Sequence, residues 1–124
     1  IEKETGTAED RPLIAGVFHN RLRLGMKMQS DPTVIYGISN FDGNLTRKHL
    51  ETPTPFNTYT EKGLPPTPIS NPGWDSLHSA LQPASVKYLY FVARGDGSSA
   101  FSRTLREHQR AVWKYQIQPH RNSR

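Results

Sequence analysis

Five residues in the first half of the chain have types that suit chemistry: Glu4, Gln29, Asp31, Asn57 and Tyr59. Glu4 stands in "IEKET", with a second acid, Glu2, two positions earlier. Residues two apart on a helix point in opposed directions, so these carboxylates cannot act as a pair. One can face solvent while the other faces a cleft. A lone glutamate at a helix end, beside a glycine turn, suits a general acid if apolar surroundings raise its pKa. A solvated charged face is the commoner fate of such an acid. Gln29 and Asp31 lie in "QSDPT", and Asn57 and Tyr59 in "FNTYT". Amides, hydroxyls and an aromatic face suit a sugar, which presents hydroxyl edges and apolar faces. Loop bracing, with Asn and Asp bonded to nearby backbone, accounts for the same residues equally well.

Other chemistries find little support. The histidines at 19, 49, 78, 108 and 120 show neither HExxH nor HxH spacing, so no metal site is expected. There is no G-x-S-x-G elbow, P-loop or dinucleotide fingerprint. Cysteine is absent, which removes thiol catalysis, disulfides and cysteine-based zinc sites and permits either side of a membrane. No run approaches the roughly 20 apolar residues of a membrane span, so any export or anchoring signal would lie upstream of Ile1. Net charge is +5, but the positives are spread along the chain. No RNP, zinc-finger or GXXG signature accompanies them, and a nucleic-acid partner is not expected.

The elements that must position the five residues form one domain. A chain of 124 residues with 34% hydrophobic content, ten prolines and nine glycines predicts irregular backbone around a small core. "IEKET" reads as the end of a helix stopped at Gly6. A second helix starts near Pro12, with Thr7 or Asp10 as cap, and Gly25 stops it. Leu13, Ile14, Val17, Phe18 and Leu22 give it a core stripe, with Arg11, Arg21 and Arg23 off that stripe. Asp31 reads as the cap of a short helix, "PTVIYG", although its β-branched residues leave a strand open. Thr46 can cap "RKHLE". Residues 52–73 hold six prolines and must form an extended surface loop. "NPGWDSLHSALQP" reads as a helix with Trp74, Leu77 and Leu81 on one face. "KYLYFVARG" and "AFS" read as strands joined through "GDGSS". "TLREHQRAVWKY" closes the chain as an amphipathic helix with Leu105, His108, Val112 and Tyr115 near one stripe, and "HRNSR" reads as a frayed tail. The class is α+β: a helix-rich single domain with a small antiparallel hairpin and a long proline-rich loop.

The segments "EKETG", "QSDPTVIYG", "FNTYTEKGLPPTPISNPGW" and "YLYFVARGDGSSAFSRTLREHQRAV" together resemble the MltG (YceG-like) family of endolytic murein transglycosylases. The likeness runs in order over residues 2 to about 112. The resemblance implies that 1–124 is the catalytic domain of a bacterial envelope protein. Its N-terminal inner-membrane anchor and LysM-like subdomain would be missing here, with the cut falling inside the helix that bears Glu4. The domain would lie on the outer, periplasmic face. It would cleave nascent glycan strands internally between MurNAc and GlcNAc, leave 1,6-anhydroMurNAc ends, and so limit strand length. It would need no cofactor and no metal. Its partners would be peptidoglycan glycan strands, with cell-wall synthesis proteins as further candidates. Glu4 matches the family's catalytic glutamate, and Gln29, Asp31, Asn57 and Tyr59 are candidates for positioning substrate. Two departures stand out: Ser99 occupies the place of a usual histidine, and Thr67 that of a usual glycine. Rival readings are a non-catalytic peptidoglycan-binding module and a muramidase-type hydrolase with Asp31 as base.

Overall fold

The computed structural model describes residues 1–4 and 6–118; Thr5 and residues 119–124, including His120 and the basic tail, lie outside the described residues. A single 3₁₀ turn, Glu2–Glu4, precedes α1 (Arg11–Leu24), α2 (Asp31–Tyr36), α3 (Arg47–Glu51) and α4 (Trp74–Leu81). A hairpin of β1 (Tyr90–Ala93) and β2 (Ser99–Ser102) follows, then α5 (Leu105–Val112), which runs on into a π-helical turn, Trp113–Ile117. The fold is α+β, and residues 52–73 contain neither helix nor strand.

Local chemistry accounts for most boundaries. Pro12 sits in the first turn of α1, and Gly25 ends it at φ +71°, its N–H bonding to the Arg21 and Leu22 carbonyls. The "PTVIYG" segment is helical, because it begins at Asp31-Pro32 and has no strand to pair with. Thr46 and the His49 ring form a reciprocal capping box on α3. The Thr104 hydroxyl caps α5 through the Glu107 N–H at 3.2 Å. The hairpin pairs Tyr90 with Ser102 through Ala93 with Ser99. In its turn the Asp96 carboxylate accepts from the Ser98 N–H at 2.9 Å.

Helix α1 is the centre of the molecule, and its burial is wider than one stripe. Ile14, Ala15, Val17 and Phe18 are buried, and so are Asn20 and Arg21. Arg21, expected off the stripe, is only 5% exposed. The reason is segment 84–89, which crosses α1 outside the regular hairpin and needs its carbonyls satisfied. Asn20 Nδ2 donates to Val86 O and Tyr88 O at 2.8 and 2.9 Å, and Arg21 Nε donates to Leu89 O at 2.8 Å. Ala84 N–H returns to Pro12 O. The core itself is Ile14, Phe18 and Met28 with Ile1, Phe91 and Phe101 packed against it. Phe18 meets Phe91 edge-to-face at 5.7 Å.

Two amphipathic faces point where the sequence did not suggest. On α4, Trp74 and Leu81 are 76% and 84% exposed, while Ser76 and Ser79 are buried against the domain. On α5 no residue is buried. Leu105, His108 and Val112 instead line an open cleft.

Gly16 shows how closely segment 84–89 lies on α1. A Cβ there would sit 2.8 Å from Ala84 O and 2.9 Å from a Val86 methyl. A helix-interior glycine changed to alanine ordinarily gains about 1 kcal/mol. Gly16→Ala should therefore do the opposite and lower the melting temperature, because the carbonyl cannot move without breaking the α1 contacts. A raised melting temperature by calorimetry would mean that segment 84–89 does not pack on α1.

Candidate active site

Buried hydroxyls hold the "SDPT" and "NTY" loops together. Thr58, 2% exposed, accepts from the Ser30 N–H at 2.9 Å and lies 2.8 Å from the Thr33 hydroxyl, which donates to Ser30 O at 2.7 Å. The Thr58 carbonyl takes the Gln29 N–H at 3.2 Å. Beside them Asn57 is fully buried. Its Nδ2 donates to the carbonyls of His49, Leu50 and Thr52, and its Oδ1 accepts from the Tyr59 N–H at 2.9 Å. Asn57 therefore braces the exit of α3 to the proline-rich loop and lies outside the cleft.

This clamp sets Tyr59 against Asp31, the phenol donating to the carboxylate at 2.5 Å. Asp31 does not cap α2: Ser30 holds the N-cap position without a side-chain cap bond, and Asp31 is the first helical residue. Burial and the Asp31 carboxylate push the Tyr59 phenol well above its ordinary pKa, so it remains a donor. Gln29 precedes them at φ +50°, one of two non-glycine residues with positive φ among those described. Strain of this kind is found at functional sites held by their surroundings.

The two acids of "EKE" diverge, as their spacing requires. Glu2 Oε1 accepts from the Gly73 N–H at 2.6 Å and the Ser76 hydroxyl at 3.0 Å. It thereby ties the chain's first turn to the start of α4, and these bonds hold its pKa below the ordinary carboxylate range. Glu4 faces inward. Burial, then the negative charge of Asp31, pushes its pKa up, and Arg21 pulls it down.

Glu4 lies where two cavities meet. One is an apolar groove of about 430 Å³, walled by Phe18, Met28, Leu64, Ile69 and Leu77. The other is a mixed cleft of about 550 Å³, lined by Glu4, Gln29, Asp31 and Tyr59 together with Tyr90, His108 and Ser99. The Ser99 N–H donates to Asp10 Oδ2 at 2.7 Å, which anchors the hairpin to the start of α1. Gly6 anchors it again, since a Cβ there would lie 2.0 Å from Gly97 O. Thr67 keeps φ out of the positive range, and its hydroxyl donates to Pro68 O at 3.0 Å. Among the described residues no cluster of three or more His, Asp or Glu could hold a metal ion.

Sequence reasoning missed Arg21, which lines the same cleft. Its Nη1 donates to Met28 O. The guanidinium sits 5.7 Å from the Tyr90 ring and 6.0 Å from each of Phe18 and Phe91. The signal was available: position 21 follows Val17 and Phe18 by four and three, which is the spacing of the buried stripe.

Comparison with known proteins bears on this cleft. The model of the YceG-like family matches residues 1–114. The chain is 44% identical over 115 residues to the endolytic murein transglycosylase of Bacillus subtilis (strain 168), covering 93% of this chain and 32% of that protein. It is 34% identical over 118 residues to the protein of the same name from Streptococcus pneumoniae serotype 2, covering 90% of this chain and 21% of that one. The chain thus spans about a third and a fifth of these relatives. The crystal structure of a YceG-like protein of Listeria monocytogenes superposes with TM-score 0.79 at 47% identity, over 88% of this chain and 35% of that one.

The opposed environments of Glu2 and Glu4 predict opposed effects on stability. The folded state holds Glu4 above its unfolded pKa, so ionising it destabilises the fold. That penalty is absent below the unfolded value of about 4.3 and complete above the raised folded value. Glu4→Gln should therefore raise the melting temperature at pH 7, with the gain fading as pH falls through the raised pKa and gone below about 4. Glu2, held low, contributes stability above its unfolded pKa that is lost as pH falls through the folded value. Glu2→Ala should lower the melting temperature at pH 7. Thermal melts across pH test both, and a fall for Glu4→Gln at pH 7 would mean that its carboxylate is paired or solvated.

Proposed function

The chain belongs to the YceG-like family, and from that premise we propose that it is the catalytic domain of an endolytic murein lytic transglycosylase. It would cut nascent glycan strands internally between MurNAc and GlcNAc, leave 1,6-anhydroMurNAc ends, and so limit strand length. It would work on the outer face of the bacterial inner membrane, where its polymer substrate lies. The observation that carries this reading is Glu4: a carboxyl shielded at the junction of two cavities and held toward its protonated form.

The chemistry then needs one acid. Protonated Glu4 gives its proton to the glycosidic oxygen as the bond from that oxygen to C1 breaks, and the departing strand leaves as an alcohol. The Glu4 carboxylate next takes the proton of the same sugar's C6 hydroxyl, whose oxygen closes on C1. No water is consumed, and Glu4 ends protonated for the next cut. Holding that hydroxyl near C1 supplies the entropic share of the rate. Gln29, Asp31 and Tyr59 are proposed to position the sugar in the cleft. The Asp31 charge also favours the protonated form of Glu4. Asn57 acts through the loop it braces.

Hydrolysis remains the second reading, and a specific observation favours keeping it. Asp31 is not consumed by capping and shares the cleft with Glu4. Against it, the Tyr59 phenol already occupies one Asp31 oxygen.

Digestion of uncrosslinked glycan by the full-length protein, followed by mass spectrometry, separates the readings. Fragments ending in 1,6-anhydroMurNAc, each lighter by one water than a hydrolytic product, are expected, with internal cuts before terminal disaccharide. Reducing MurNAc ends would mean a hydrolase, and uncut but bound glycan a binding module. Glu4→Gln should lower turnover by about 10²–10⁴-fold. Turnover should also fall as pH rises through the raised pKa of Glu4, because the acid must begin protonated. Tyr59→Phe should reduce turnover with little loss of melting temperature. Asn57→Ala should chiefly reduce melting temperature, since it leaves buried carbonyls unpaired.

A further inference from the structure

The part of the cleft formed by β1 and α5 has features that the single-acid mechanism does not use. Tyr90 of β1 and His108 of α5 stack at 5.0 Å with their planes 20° apart. Both line the cleft, flanked by Leu105, Val112 and Gln116. His108 Nδ1 is buried and has no hydrogen-bond partner among the described residues. Helix α5 buries none of its residues, so its apolar stripe is not spent on the core.

These observations have one common reading. A buried ring nitrogen without a partner is least unfavourable as a bare lone pair, because a buried charge or unpaired N–H is worse. The proton then belongs on Nε2. Burial and, second, the Arg21 charge hold the imidazole below its ordinary pKa and keep it neutral. Lys3, Arg21, Glu4, Asp31 and Tyr59 are the other titratable groups lining the cleft with Tyr90 and His108. This part of the cleft therefore offers a neutral N–H, a phenol and a carboxamide from Gln116, beside the apolar side chains of Leu105 and Val112. An N-acetylhexosamine ring has the matching parts: hydroxyl and amide oxygens on its edge, C–H faces and an acetamido methyl.

We propose that Tyr90 and His108, with Leu105 and Val112, form a subsite for one N-acetylhexosamine of the glycan, in which His108 donates from Nε2 to a sugar oxygen. The inference rests on the cleft taking glycan, as proposed above. The Tyr90 stack fixes the plane of the imidazole, so the donor meets the sugar without rotamer loss. The subsite would hold the strand in the cleft that Glu4 also lines and contribute to binding more than to the proton transfers.

The test uses the full-length protein and uncrosslinked glycan strands in two backgrounds. His108→Phe keeps the stacked ring and removes the donor; His108→Gln returns an N–H without the ring. In the active background, His108→Phe should lower kcat/KM by about tenfold or more, mainly through KM, as loss of one substrate hydrogen bond predicts. Its melting temperature should hold or rise, because the unpaired Nδ1 is removed. His108→Gln should recover part of the loss. In the Glu4→Gln background, sedimentation with glycan should show binding that His108→Phe weakens by a similar factor. Unchanged binding and KM in folded His108→Phe would overturn the subsite and leave His108 as packing. Binding that depends on His108 in a protein that never cuts glycan would uphold the subsite and sink the transglycosylase reading, so the two fail separately.

Discussion

The cleft is organised around one buried cation. Arg21 reaches from α1 to Leu89 O, just before β1, and to Met28 O, just before Gln29 and Asp31. It thus fixes the starts of these two cleft-lining segments relative to each other. Its guanidinium lies among Phe18, Tyr90 and Phe91, whose ring faces are attractive to a cation that has lost water. A buried charge is tolerated only when its hydrogen bonds are met and opposite charge is near. The Leu89 and Met28 carbonyls meet its donors, and Glu4, when ionised, supplies charge that opposes the loss of the Arg21 proton that burial favours. The acid and the cation therefore sit in one electrostatic unit.

Around that cation the site is held by polar bonds more than by apolar area. The buried hydrophobic residues are few, while Asn20, Arg21, Ser30, Thr33, Asn57, Thr58, Ser76 and Ser102 are buried and polar. Hydroxyl and amide networks are directional, so they fix side chains more tightly than non-directional apolar contact of the same extent. The Ser30–Thr33–Thr58 clamp is the clearest case, and the phenol of Tyr59 meets Asp31 as its consequence. The prolines of the loop reinforce it by limiting the unfolded chain's freedom.

Two chemically identical acids in one 3₁₀ turn show how environment assigns role. Glu2 finds an N–H and a hydroxyl, and remains ionised as a structural tie. Glu4 finds burial and another carboxylate, and is driven toward the protonated form. Divergence of environments is what separates acid from bystander in paired carboxyl sites generally.

The sequence by itself determined whatever depends on neighbours a few residues away. Pro12 and Gly25 bound α1, Thr46 and Thr104 cap their helices, the glycine-rich "GDGSS" turns the hairpin, and six prolines keep 52–73 irregular. The divergence of Glu2 and Glu4 follows from spacing alone, and the motifs carried the family likeness. Only the tertiary structure decided which faces are buried. Serines rather than Trp74 and Leu81 turn inward on α4, because α1 and Glu2 meet that side. Asp31 turns to Tyr59, 28 residues on, instead of capping its own helix. Asn57 turns inward to three carbonyls, and Arg21 is drawn under a segment 68 residues away that lies outside the regular hairpin. Capping and turn bonds close within three or four residues and are legible in order. Burial, and the pKa of Glu4 that follows from it, depend on which distant segments the fold brings alongside.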